Sequence, residues 1–197
     1  MRGVVPGPDP GPLWQPLPVA IVHRTILTPT KLELLAAWLP GQDWYRGIGD
    51  PALTKAGGFR LDDPAGEVGI ELMIVTDTAS PDVDAYLVPL AYRAAPAGGT
   101  PVGTMEHGVL GLRHTYDGPT DPVLRAQARA LLRGEVLPQA QSESNTVDRT
   151  VHVEPVPDAA DVEFVRHLVS GSSGAVSATW LDADGTRHRA AVLRTAS

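Results

Sequence analysis

The chain has 197 residues, of which 43% are hydrophobic and 20% charged, and it carries a formal net charge of −7. That length suits one domain, or one domain with an appendage. The acidic balance argues against nucleic acid or an anionic membrane as partner, because both recruit basic surfaces. With no cysteine, disulfides, thiol nucleophiles and Cys-ligated zinc are excluded.

Residues 1–18 are rich in Pro and Gly, with prolines at 6, 8, 10, 12, 16 and 18. Proline cannot donate to a strand ladder and favours extended, solvated chain. A flexible tail is expected there, pinned at most by Trp14. The tract has no continuous apolar stretch of the kind a secretory signal needs, and no apolar run in the chain approaches membrane-spanning length. A cytoplasmic protein with a single domain over residues 19–197 is the expectation.

Residues 20–27 read as a strand. Two helix-start signals follow: Thr28 with Pro29 at the first helical position, and Thr30 with Glu33 at capping-box spacing. Leu32, Leu35 and Leu39, flanked by Leu34 and Trp38, supply the apolar stripe, and Pro40-Gly41 stops the helix. Residues 43–51 read as loop, with Trp44 and Tyr45 as anchors on the core or on a partner. Strands are expected at about 53–61, 67–76 and 83–93.

Val68, Ile70, Leu72 and Ile74 alternate with Glu67, Gly69, Glu71 and Met73, the period of a half-buried strand. Pro89 interrupts the third strand and fits an edge or a bulge better than a central position. Two short extended pieces over 103–117 precede a second helix opened by Asp121-Pro122 and closed by Gly134. Leu124, Ala128, Leu131 and Leu132 share its apolar face. Further strands are expected at about 146–154, 161–169, 175–182 and 186–194, although Val162, Val165 and Val169 also have helical spacing. The resulting fold class is α+β, a curved antiparallel sheet of about seven strands with two packed helices.

Asp62, Asp63 and Glu67 crowd the turn Asp62-Asp63-Pro64-Ala65-Gly66-Glu67. They offer oxygen ligands for a divalent cation or an acid/base pair. Asp, Pro and Gly also satisfy a β-turn by themselves, and the Asp-x-Asp-x-Asp-Gly loop pattern is absent, so the turn reading leads and no metal is assigned. Glu106 beside His107 offers a base with an orienting carboxylate, but no second His lies three or four residues away; a buried, hydrogen-bonded His is the plainer reading. Arg125, Arg129 and Arg133 recur every four residues and would suit a phosphate or an acidic partner, or simply a solvated face near a helix C-terminus. Gly-x-Ser-x-Gly, the P-loop pattern and a dinucleotide-binding loop are all absent. No catalytic residue and no cofactor is assigned.

Leu27-Thr28-Pro29-Thr30-Lys31-Leu32-Glu33-Leu34-Leu35-Ala36-Ala37-Trp38-Leu39-Pro40, the segment from Arg60 to Glu71, the segment from Gly103 to Gly111, and Tyr116-Asp117 with Asp121-Pro122-Val123 carry a resemblance. Together they resemble the N-terminal cap domain of actinobacterial maltokinases and related aminoglycoside-kinase-like sugar kinases. The chain is similar, more closely still, to stand-alone cap-like proteins. The resemblance covers roughly residues 20–125, and 126–197 match only loosely.

It implies a curved antiparallel sheet with helices that packs on a kinase lobe and holds no phosphoryl-transfer machinery. His114-Thr115-Tyr116-Asp117 only loosely echoes a kinase catalytic loop, and two lobes would need about 200 further residues. The implied function is a non-catalytic accessory or regulatory partner of a sugar kinase, or of another enzyme of maltose, trehalose or glycogen metabolism. Asp62, Asp63, Glu67, Glu106 and His107 would contact ligand or partner, with Trp44 and Tyr45 as apolar anchors. The alternatives are a binding protein for a carbohydrate or phosphosugar and a hydrolase using the carboxylates with His107.

Overall fold

A computed structural model describes residues 27–81, 85–142 and 146–196. The expected N-terminal tail, Trp14 and most of the strand expected over 20–27 lie outside the described residues. Helix α1 (Lys31–Trp38) starts at Thr30, which accepts from the Glu33 amide while Glu33 reaches back to the Thr30 amide, a complete capping box. Of the two start signals, the second is therefore the one used. A short 3₁₀ turn over Leu39–Gly41 ends the helix, as Pro40 requires.

Helix α2 (Pro122–Arg133) is capped by Asp121, whose carboxylate accepts from the amides of Val123 and Leu124. Gly134 closes it in the left-handed conformation, φ 75°, where a side chain would be strained.

Among the described residues eleven strands form one sheet, in place of about seven. Seven are long: β2 (Leu53–Leu61), β3 (Val68–Asp77), β4 (Ala85–Arg93), β5 (Pro101–His107), β6 (Gly111–Asp117), β10 (Val176–Leu181) and β11 (Arg187–Thr195). The other four have two or three residues each: β1 (Leu27–Thr28), β7 (His152–Val153), β8 (Val162–Phe164) and β9 (His167–Leu168). The stretch 161–169 is neither helix nor one strand. It breaks after Phe164, so that β8 pairs with β11 and β9 with β4. Every pairing is antiparallel, in the order β1-β5-β6-β4-β3-β2-β10-β11-β8, with β7 beside β10 and β9 beside β4.

The sheet is covered on both faces. On one, Phe59, Leu61, Ile70, Leu72, Ile74, Leu87 and Ala91 meet Leu124, Ala128, Leu131 and Leu132 of α2. On the other, Met73, Val75, Tyr86, Val88 and Leu90 meet Leu35 and Leu39, with Trp38, Trp44 and Tyr45 at the margin. Each Leu so enclosed contributes about 1.5–3 kcal/mol. β3 is therefore buried on both sides rather than half-buried, because α1 and its following loop cover the face that carries Glu71, Met73 and Val75.

Pro89 also departs from expectation. It lies inside the sheet, opposite Leu72 of β3. The Leu87 amide donates to Arg166 O, so position 89, two residues on, faces that same side. There β9 pairs only Ala85 and Tyr86, and β6 begins at Leu90. The missing N–H falls in the gap between the two partners.

Candidate functional site

The acidic turn joins β2 to β3. Gly66 N donates to Asp63 O at 2.9 Å, closing a four-residue turn with Pro64 second, and Gly66 takes φ 70° just where only glycine is unstrained. The Asp63 carboxylate turns inward and accepts from the amides of Ala65 at 3.1 Å, Glu67 at 3.0 Å and Val68 at 2.9 Å. With those bonds its acceptor capacity is largely spent on its own loop. Asp62 lies 4.0 Å from Arg60, and its Oδ1 is buried without a hydrogen bond. Glu67 is exposed. The three carboxylates thus have three different fates, and among the described residues no group of His, Asp or Glu side chains is arranged to hold a metal ion.

Glu67 does line something. Gly66, Glu67, Arg93, Ala94, Ala95, Pro96, Ala97 and Arg113 enclose a cleft of about 400 Å³ at this end of the sheet. Arg93 ends β4 and donates from Nε to Asp121 Oδ2 at 2.7 Å, tying the strand end to the N-cap of α2. Arg113 donates from Nη2 to Leu110 O at 2.8 Å, and its Nε is buried without a partner. Neither arginine stood out in the sequence. The β4–β6 pairing sets Arg93 opposite His114, so the Arg93 and Arg113 side chains lie on opposite faces of the same sheet end.

Glu106 and His107 close β5. As neighbours in a strand they point to opposite faces. Glu106 is exposed, and His107 Nδ1 accepts from the amides of Val109 at 3.3 Å and Leu110 at 3.1 Å. The imidazole caps its own hairpin. β4 and β6 separate it from the acidic turn, three strand spacings or about 14 Å, so the geometry does not join His107 to Asp62, Asp63 or Glu67.

Trp44 and Tyr45 anchor the chain's own core. Trp44 packs at 5.9 Å from both Trp38 and Tyr86, with the Arg166 guanidinium 4.6 Å from its ring centre. Tyr45 donates to Asp77 Oδ2 at 2.6 Å. Asp77 also accepts from the amides of Ala52 and Ala79 and from Ser80 Oγ. Burial raises the Asp77 pKa, but the Tyr45 hydroxyl, the two amides and Ser80 together bring it below the usual carboxylate value. Burial, with the bond to Asp77, pushes the Tyr45 hydroxyl up.

A further enclosed charge is Glu71, 3% exposed on the α1 face. It is ion-paired to Lys31, lies 3.7 Å from Lys55 Nζ, and accepts from Tyr92 Oη at 2.7 Å and Gln141 Nε2 at 2.9 Å. Burial raises its pKa; Lys31 and Lys55, with the bonds from Lys31 and Tyr92, more than offset that and hold it below the ordinary glutamate value.

The arginine row on α2 turns to its own chain. Arg125 pairs with Asp161, Arg129 donates to Ala160 O at 3.3 Å, and Arg133 donates to Ala159 O at 2.7 Å from Nη2. The row fastens the 159–161 segment to the helix. One further constellation escaped the sequence: Ser170 Oγ lies 3.2 Å from His188 Nδ1, and His188 Nε2 lies 2.8 Å from Asp182 Oδ2. Asp182 also accepts from the amides of Asp184 and Thr186, and Trp180 stacks on the imidazole at 5.3 Å. These contacts lock the β10–β11 turn to the loop after β9.

Residues 38–121 match the family model of the maltokinase N-terminal cap domain. No curated protein and no solved structure matches the chain. The matched segment runs from the end of α1 through β6 to the N-cap of α2, and it contains the acidic turn, the cleft, the aromatic cluster and the β5–β6 hairpin. Over those elements the chain is thus similar to the maltokinase N-terminal cap domain.

Proposed function

We propose that the protein is an accessory cap that docks on a sugar kinase, or on another enzyme of maltose, trehalose or glycogen metabolism. The supporting observation is the tip of the β5–β6 hairpin, inside the matched segment. There Val109, Leu110 and Leu112 are 61%, 45% and 44% exposed. Three large aliphatic side chains within four positions, held out on a turn capped by His107, form an apolar patch of the kind that marks an interaction site. The buried carboxylates point the same way. Asp63, Glu71 and Asp77 spend their acceptors inside the fold, which suits a rigid docking module.

The test is affinity purification of the tagged full chain from its native cells under gentle salt, with partners identified by mass spectrometry. A sugar kinase or α-glucan enzyme is expected with the wild type and lost with Val109→Ser/Leu110→Ser. Recovery of no such enzyme, or undiminished recovery with the double variant, overturns the reading.

A further inference from the structure

The turn between β10 and β11 carries a second inference, outside the matched segment and independent of docking. The geometry points to Ser170 as a self-acylating nucleophile that takes the acyl group of an activated ester or thioester, with His188 as its base and Asp182 positioning that base.

Asp182 decides the tautomer. Its Oδ1 accepts from the Asp184 amide at 3.0 Å and the Thr186 amide at 2.8 Å, and its Oδ2 lies 2.8 Å from His188 Nε2. The bond from His188, with the two amides, holds that carboxyl below its usual value, so it is ionised and can only accept. In the neutral imidazole Nε2 therefore carries the hydrogen, and Nδ1, 3.2 Å from Ser170 Oγ, is left to accept from the hydroxyl. Trp180, itself 2% exposed, stacks on the ring at 5.3 Å and fixes its plane. Arg187 and Arg189, the neighbours of His188 in β11, point to the other face of the sheet. Ser170 is exposed. Nucleophile, base and orienting carboxylate thus stand in hydrogen-bond series, the arrangement that activates a hydroxyl.

In the reaction Ser170 Oγ adds to the acyl carbon while His188 Nδ1 takes its proton. The bond from that carbon to the leaving oxygen or sulfur then breaks, and the leaving group departs with the proton, so that an ester remains on Ser170. The two amides that follow are already committed, Gly171 N to Arg189 O and Ser172 N to Val169 O, and they do not form an oxyanion hole. That restricts the donors to acyl groups with good leaving groups and leaves amides untouched.

The test is incubation of the full chain with 4-nitrophenyl acetate, with the added acetyl group located by peptide mass spectrometry. Ser173, exposed in the same loop, is the internal reference. Ser170 is expected to be acetylated about tenfold or more faster than Ser173. Its rate should climb as pH rises through the imidazole range near about 6.5. Asp182→Asn keeps an acceptor for the two amides but presents an NH₂ group to Nε2, which moves the ring hydrogen to Nδ1. That variant is expected to lose the preference for Ser170, and its melting temperature shows whether it keeps its fold. The wild-type ratio and pH profile need no variant. The proposal is overturned by equal acetylation of Ser170 and Ser173, by a Ser170 rate that is flat across that pH range, or by a folded Asp182→Asn that reacts like the wild type.

Discussion

Lys31, the first residue of α1, is ion-paired to Glu71 of β3 across forty positions of chain. The Lys31 side chain is 30% exposed and that of Glu71 only 4%, so the two partners stand in different dielectric surroundings. The same carboxylate is gripped by Lys55 from β2, Tyr92 from β4 and Gln141. One buried charge thereby holds α1, three adjacent strands and the loop after α2 in a single register.

The asymmetry makes the two halves of the pair unequal to mutation. Lys31→Met takes the nearest cation from a carboxylate that is only 4% exposed, leaving it Lys55, Tyr92 and Gln141, and it is expected to cost about 3 kcal/mol. Glu71→Gln leaves two lysines that can turn to solvent and is expected to cost about 1 kcal/mol. Urea unfolding of both variants and the double variant checks the order. Equal losses would mean that the carboxylate is better hydrated than its exposure indicates.

Stability should fall on the acid side. Glu71 and Asp77 have folded pKa values below their ordinary ones. The unfolded chain therefore takes up protons first, and the contribution is complete above the unfolded values of about 4. It is lost as pH falls through the lower folded values. Melting temperature against pH should show that decline in the wild type and a shallower one in Glu71→Gln and in Asp77→Asn. An unchanged profile in both variants would assign acid sensitivity to other groups.

The acidic turn separates a structural carboxylate from a free one. Asp63→Ala removes the acceptor of three backbone amides and is expected to destabilise by about 1–3 kcal/mol. Glu67→Ala, at an exposed position, is expected to stay within about 0.5 kcal/mol. Chemical denaturation measures both. If Asp63→Ala proved neutral, those amides would have ready access to water.

Gly118 is a steric test of the gap beside Pro89. A Cβ there would sit 2.5 Å from Leu124 Cδ1 and 2.7 Å from Pro89 Cβ. Gly118→Ala is expected to destabilise by about 1–3 kcal/mol through overpacking, as read by thermal melts; a neutral result would mean that Leu124 moves aside without cost.

Much of the architecture was legible in the residues. The alternation from Val68 to Ile74, the capping box at Thr30, the Asp121-Pro122 start and the Gly134 stop are local signals. Each depends on backbone conformation and on neighbours within a few positions, and all four survive in the fold. The seven long strands belong to the same class, whereas β1, β7, β8 and β9 are too short to show a period and exist only because a longer strand lies alongside. What packing alone decided is where each polar group finds its partner. Alternation told which side chains share a face of β3, not that α1 would cover the face holding Glu71. An aspartate on a turn can face solvent, a cation or its own amides, and Asp63 met the nearest donors once Val68 was drawn into the core. That Glu67, Arg93 and Arg113 line one cleft followed from the order of strands. Charge type is written in the chain, but its burial and its company are set by which elements close over it.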